Sequence, residues 1–247
     1  MNTYSPDSQR LFFDGLLNCR EMGGMPLANG KVFRDKVFMR SDISSDLPEN
    51  TMNQMIDYGV NLVIDLRCEA EKSREVDSFS RKEGVKYTSI SLFDGDPDSP
   101  DDYIMSFLKK HTLGDYYIMI LEEYKEQMAN IFRLLLNNEG VTLFHCAVGK
   151  DRTGVIAAIL YLLAGASYEN IILNYKVSFE YGKKVLGEHY NHKIPELKHT
   201  ALSEARNMTK FLNYIDSQYE GKIESYLLKI GITNEEISAL REKCIEE

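Results

Sequence analysis

Ten consecutive residues hold most of the chemistry this sequence can offer: His145-Cys146-Ala147-Val148-Gly149-Lys150-Asp151-Arg152-Thr153-Gly154. Val141 to Phe144, just before them, reads as a short buried strand. Thr153 to Ala164, just after, is apolar on nearly every face and reads as a buried helix. The first N–H groups of a helix have no intrahelical partner, and the helix dipole adds about half a positive charge there. A tight loop feeding such an end can aim several N–H groups at one anion. Gly149 lets the backbone turn, and Arg152 supplies a planar fork of donors matched to two phosphate oxygens. The same field favours the thiolate of Cys146, since helix N-termini with basic neighbours lower a thiol from about 8.5 to roughly 3.5–7.5. A thiolate beneath a bound phosphate is a nucleophile already in position. The stretch therefore predicts phosphoryl transfer from a phosphate monoester to Cys146, with Arg152 and the amides of Ala147, Val148, Gly149 and Lys150 around the phosphate. Thr153 is placed to donate to the leaving sulfur, and His145 to orient the loop from behind. A nucleotide-binding phosphate loop does not fit, because Lys150 is followed by Asp151 and Phe144 stands where that loop needs glycine.

The proton for the leaving oxygen has two candidate sources. Asp151 is either a general acid or a cap on the helix start. The loop Phe93–Asp102 holds Asp94, Asp96, Asp98, Asp101 and Asp102, each of which taken singly reads as a solvated charge. That loop does not fit calcium, with Ser99 where glycine is needed and Met105 where the bidentate glutamate is needed. Lys150 reads as a contact to substrate phosphate rather than a solvent-facing charge. Arg20, Arg40 and Arg67 read as structural, and His189 and His192 lack a ligand pattern around them. Cys19, Cys68 and Cys244 read as inert, with a protective disulfide open to Cys19 or Cys68 if either lies beside Cys146.

The elements that position these residues follow from periodicity. Residues 1–31 read as irregular, and 31–39 as a strand pair around Arg34-Asp35. A short helix is predicted over 53–58, capped by Asn50 or Thr51 and stopped by Gly59, with strands over 60–65 and 85–90. Tyr117, Leu121, Tyr124, Met128, Ile131 and Leu135 recur at spacings of four and three, predicting one long helix. Further helices are predicted near 168–186, 203–218 and 221–229, with a polar stretch between 187 and 200. A last helix starts at Thr233, where Glu236 completes a capping box. Strands alternating with helices up to 165 and helices alone thereafter predict an α/β fold with a helical C-terminal extension, in one domain spanning 1–247.

The 247 residues carry a net charge of −9, which argues against nucleic-acid binding and against stable docking on an anionic membrane. No signal-peptide pattern is visible, no apolar run spans a bilayer, and the four cysteines are far apart. A cytoplasmic protein is the expectation, with a secreted mature form equally compatible with this pattern.

The run His-Cys-x-x-Gly-Lys-x-Arg-Thr-Gly resembles the signature of the protein tyrosine phosphatase superfamily. More narrowly, the chain is similar to the bacterial atypical tyrosine phosphatases with lipid-phosphatase activity, the LipA and PtpB type. Asn18-Cys-Arg-Glu-Met-Gly-Gly24, Phe38-Met-Arg-Ser41, Asp65-Leu-Arg-Cys-Glu69 and Tyr226 to Thr233 carry the likeness further, with Glu69 or Glu71 as the acidic match. The resemblance implies a small, largely parallel sheet flanked by helices and an enzyme without metal or cofactor. It implies phosphorylated proteins or phosphoinositides as substrates, and inorganic phosphate as product. It makes Lys150 similar to the basic loop residue of phosphoinositide phosphatases, Asp151 a candidate acid, and 168–218 a source of lid-like helices. Glu21 and Val148 depart from the family's usual Asp and Ala. A soluble inositol phosphate is an alternative substrate; a phospho-ligand binding module and a sulfurtransferase are alternative classes.

Overall fold

The computed structural model describes residues 4–99 and 101–246. Five strands, β1 (Arg20–Glu21), β2 (Phe38–Ser41), β3 (Val60–Asp65), β4 (Lys86–Ser89) and β5 (Val141–His145), form one sheet in the order β1-β2-β5-β3-β4. Only β1 runs antiparallel; β2, β3 and β4 are parallel to their neighbours, so the largely parallel α/β fold expected from the sequence is the fold observed. Strand alternation divides the sheet's two faces. Phe38, Leu62, Ile64 and Phe144 face the larger core, while Met39, Val63 and Leu143 face a smaller one with Cys19 and Phe79.

The helices are α1 (Glu49–Tyr58), α2 (Glu69–Arg74), α3 (Tyr103–Leu108), α4 (Leu113–Glu123), α5 (Lys125–Asn137), α6 (Arg152–Ala164), α7 (Tyr168–Tyr181), α8 (Lys183–His192), α9 (Ala205–Tyr219), α10 (Ile223–Lys229) and α11 (Asn234–Cys244). Among the described residues, α6 buries all but one of its side chains, as its uniform apolarity predicts. The expected capping box at Thr233 and Glu236 starts α11.

Four expectations need correction. The stripe from Tyr117 to Leu135 belongs to two helices, because the backbone leaves the helical region at Tyr124 (φ −107°, ψ 36°). The buried Tyr124 places its hydroxyl to accept the Asp94 N–H at 3.0 Å, and the break lets α4 pack on α9 while α5 packs on α11. No hairpin turns at Arg34-Asp35. Val32 pairs with Pro26, Phe33 pairs with Ile245, and the strand proper is β2. The N-terminal stretch is not wholly irregular, since Arg20–Glu21 adds the antiparallel edge. Helix α1 begins at Glu49 behind Pro48, so Asn50 and Thr51 lie inside its first turn rather than capping it.

Candidate active site

The strands deliver the site to one edge of the sheet. Ser41, His145 and Asp65 sit opposite one another at the carboxyl ends of β2, β5 and β3. Asp42, Cys146 and Leu66-Arg67 therefore leave the sheet side by side, at the place where open parallel sheets form their ligand crevices.

The loop after β5 is turned inside out relative to an ordinary turn. Its carbonyls point away from the crevice and are held there. Ala147 O accepts from Ile43 N (3.1 Å), Val148 O and Gly149 O accept from Asn18 Nδ2 (2.9 and 3.2 Å), and Gly149 O also accepts from Arg40 Nη2 (2.8 Å). Asn18 and Leu17 donate their own N–H groups to Asp42. Arg40 reaches on to Asn174 of α7, and Arg20 binds Asn174 and Ser178. Among the described residues, no N–H from 147 to 151 donates to a protein acceptor, so this run of donors is free for an anion. Gly149 is required twice over: its φ is +65°, and a Cβ there would stand 2.5 Å from the backbone of Ser41.

Cys146 lies at the floor, 1% exposed. Burial opposes its thiolate, but the Arg152 guanidinium and the hydroxyl and N–H of Thr153 outweigh burial and hold the thiol below its usual value. The Thr153 hydroxyl has no oxygen or nitrogen partner among the described residues, which leaves it to the sulfur. Arg152 is fixed by Glu71, whose carboxylate takes Nη1 at 2.6 Å and Nη2 at 2.7 Å. A weaker contact reaches Leu66 O at 3.4 Å, leaving two of the five guanidinium donors for an incoming anion. Glu71 also accepts the Cys68 N–H at 3.0 Å. Burial works against its charge, but Arg152 more than offsets this and holds the carboxyl at about 2. Of the two acidic matches left open by the sequence, Glu71 is the one that meets the arginine.

Asp151 occupies the N-cap position of α6, yet its side chain caps nothing. Oδ1 accepts from Tyr117 Oη at 2.5 Å, and Oδ2 lies 3.6 Å from Lys150 Nζ. The ammonium of Lys150 is fully buried and donates to the carbonyls of Thr200 (2.6 Å) and Leu202 (2.9 Å). It thus ties the loop to the segment after α8 and lies outside the cavity wall, at odds with both a phosphate contact and a solvent-facing charge. Behind the loop, buried His145 sets Nδ1 3.2 Å from Cys146 O and Nε2 3.1 Å from Asp77 Oδ2; the latter contact is too bent for a hydrogen bond. Burial disfavours its charge, but Asp65 and Asp77 overcome that and raise its pKa to about 9. Asp65, Asp77 and His145 have metal-like proximity, but Arg67 and Tyr87 already bind Asp65, so the group is a closed ionic network.

A cavity of about 320 Å³ opens above the loop. Ala147, Val148, Asp151 and Arg152 form its base. Arg74, Phe93 and Asp98 form one wall, and Leu186, His189, Lys193, Thr200 and Ala201 another. Asp98 is the one aspartate of the 94–102 loop on that wall, held 3.1 Å from Arg74. Asp102 instead caps α3, and Asp101 lies 3.5 Å from Lys109. Within 168–218, the cavity wall comes from α8 and the turn after it, while α7 and α9 pack inward.

The sequence model of the tyrosine phosphatase family matches residues 11–246. This chain belongs to the tyrosine phosphatase family. A tyrosine-protein phosphatase of Nostoc commune is 31% identical over 216 residues, covering 83% of this chain and 72% of that one. A Cupriavidus necator protein, whose name gives the same activity as a provisional assignment, is 28% identical over 172 residues, or 67% of this chain and 61% of that one. The crystal structure of P. aeruginosa TpbA aligns with a TM-score of 0.41 at 13% identity, covering 78% of this chain and 86% of that one.

Several residues around the Cys146–Arg152 loop do structural work that their sequence context does not announce. Asn18 and Asp42 hold the loop's carbonyls, Asp77 braces His145, and Tyr117 grips Asp151. Asn18 and Glu71 had a signal in the segments that resemble the family, and the structure adds that Glu71 closes a capping box with Cys68.

Proposed function

We propose that the chain hydrolyses phosphotyrosine in proteins through a phosphocysteine on Cys146, with residues 1–247 acting as one phosphatase domain. The observation that carries this reading is the row of unpartnered loop N–H groups above a buried cysteine, closed by an arginine already clamped by Glu71. The loop amides and Arg152 hold the three equatorial oxygens. The Cys146 sulfur forms a bond to phosphorus as the ester P–O bond breaks, and Asp151 gives its proton to the departing oxygen. Asp151 then takes a proton from a water, whose oxygen attacks phosphorus. The sulfur leaves as thiolate with Thr153 beside it, and inorganic phosphate is released.

Dual specificity and phosphoinositide hydrolysis belong to the same proposal. The cations Arg74 and Lys193 on the walls, with the neutral imidazole of His189 as a further donor, support acceptance of further phosphates, and a soluble inositol phosphate would use the same groups. The test compares wild type with Cys146→Ser on phosphotyrosine peptide, phosphoserine peptide, phosphoinositide vesicles and soluble inositol phosphates, without added metal. Turnover abolished by the substitution supports the reading, and the ratio among substrates ranks them. Full activity in Cys146→Ser, or binding of phosphopeptide with no turnover by wild type, would overturn it. A persulfide on purified Cys146 would point instead to sulfur transfer.

A further inference from the structure

We infer that Tyr117 is a positioning residue that holds Asp151 for proton transfer, an inference that rests on the phosphatase reading above. An aspartate at a helix N-cap ordinarily accepts from the second or third N–H of the helix. Asp151 gives up that bond and turns to Tyr117, whose hydroxyl donates to Oδ1 at 2.5 Å. Behind it the Tyr175 hydroxyl lies 2.7 Å from that of Tyr117, so one phenol supports the next. Both rings are buried, at 0% and 1% exposure. They meet edge to face at 5.9 Å, and Phe211 packs on Tyr117 at 6.4 Å. A hydroxyl in such packing has one direction to point.

The consequence for Asp151 is a division of labour between its oxygens. Oδ1 is occupied by the phenol. Oδ2 is left to carry the proton, with Lys150 Nζ at 3.6 Å as its one close charged neighbour. Other titratable groups around Asp151 include the neighbouring Arg152, Cys146 beneath it, Tyr116 and Tyr117 from α4, Tyr175 from α7, and Lys193 from the turn after α8. In the step itself the proton passes from Asp151 Oδ2 to the ester oxygen, which takes the electron pair of the breaking P–O bond. Tyr117 neither gains nor loses a proton; it fixes the direction from which the proton comes. A misplacement of about 1 Å can cost ~10²-fold in rate.

The alternative is that Tyr117 is a core residue whose hydroxyl merely finds a partner, and leaving-group dependence separates the two. A poor leaving group needs the proton and a good one does not. Tyr117→Phe, Asp151→Asn and the double variant are assayed on phenyl phosphate and para-nitrophenyl phosphate, with Cys146 alkylation by iodoacetate as a measure of loop integrity. The expected result for Tyr117→Phe is a kcat loss of roughly 10-fold or more on phenyl phosphate, little loss on para-nitrophenyl phosphate, unchanged KM and unchanged alkylation. The double variant should be no slower than Asp151→Asn alone. Equal loss on both substrates, or multiplicative loss in the double variant, overturns the proposal. Asp151→Asn with no leaving-group dependence removes the acid itself and the proposal with it, while Cys146→Ser still reports on the nucleophile. Should Tyr117→Phe fail to fold, Tyr175→Phe carries the test: the same split at smaller size supports the proposal, and equal loss on both substrates overturns it.

Discussion

At the scale of single residues, the site depends on side chains that touch no substrate. Glu71 contacts Arg152 through two short bonds and sets the plane of the guanidinium. Glu71→Gln keeps the shape but loses the charge and one acceptor. We expect kcat/KM on phosphotyrosine peptide to fall by ~10²-fold and the melting temperature to fall with it, because Arg152 is left buried without its counter-ion, as read from steady-state kinetics beside a thermal scan. That Cys146 and Arg152 share one loop was legible in the sequence, because their spacing falls between a strand and a helix that burial makes plain. Glu71 was half legible: its distance from Asp65 was visible, but the helical phase that points it rather than Glu69 at the loop was not. Tyr117 was hidden for a different reason. Its spacing matches the apolar stripe of α4, and a stripe says nothing about where a hydroxyl points. Lys150 misled in the opposite sense, since a lysine in a phosphate loop looks like a ligand until carbonyls from fifty residues downstream claim it.

At the scale of elements, that lysine joins the loop to a polar stretch whose sequence predicts no element. Residues 187–192 are the end of α8, and a 3₁₀ helix, Pro195–Ala201, follows after two residues. Neither has a strong apolar period, so the segment's order comes from what it touches: Leu197 and Ala201 are buried and the Lys150 ammonium takes two carbonyls. A hydrogen bond from a charged group contributes about 1.5–3 kcal/mol. Lys150→Met should therefore raise the rate of limited proteolysis within 183–202 by roughly 10-fold or more, while phosphate still protects Cys146 from alkylation. Loss of that protection would return Lys150 to the phosphate. The split of the long helix at Tyr124 was unreadable because the apolar spacing continues unbroken across it, although the backbone leaves the helical region there. Strands β3 and β5 and helix α6 were read within a residue or two, because burial on both sides leaves an uninterrupted apolar signature.

At the scale of the whole molecule, stability should depend on pH through the buried ions behind the loop. His145 is raised from 6.5 to about 9 by Asp65 and Asp77 against the effect of burial. Its contribution is complete below 6.5, declines as pH rises and is lost above 9. For Asp65, burial raises the pKa, but His145 and Arg67 outweigh it and hold the carboxyl well below the usual range; its contribution is complete above about 4 and lost as pH falls. The melting temperature should therefore be highest between about pH 5 and 6.5 and fall toward 9. Asp77→Asn should flatten the alkaline slope, and an unchanged slope in that variant would show that general repulsion in a chain of net charge −9 is responsible instead. The fold class followed from the order of strands and helices. This ionic network did not, because Asp77 lies in an undistinguished turn and meets His145 only when the sheet is assembled.

The outward-turned carbonyls of the loop also bear on how the molecule comes into being. Asn18 holds Val148 across 130 positions of chain, and Arg40 holds Gly149 across 109. A chain emerging from the ribosome carries both anchors long before it has anything to anchor, and contacts so distant in sequence close slowly. Until they close, nothing keeps the amides of 147–151 facing one way, and Cys146 is an ordinary thiol. The loop's one-sided array of amides is thus acquired late, and a half-made chain spares the cell an unguarded enzyme.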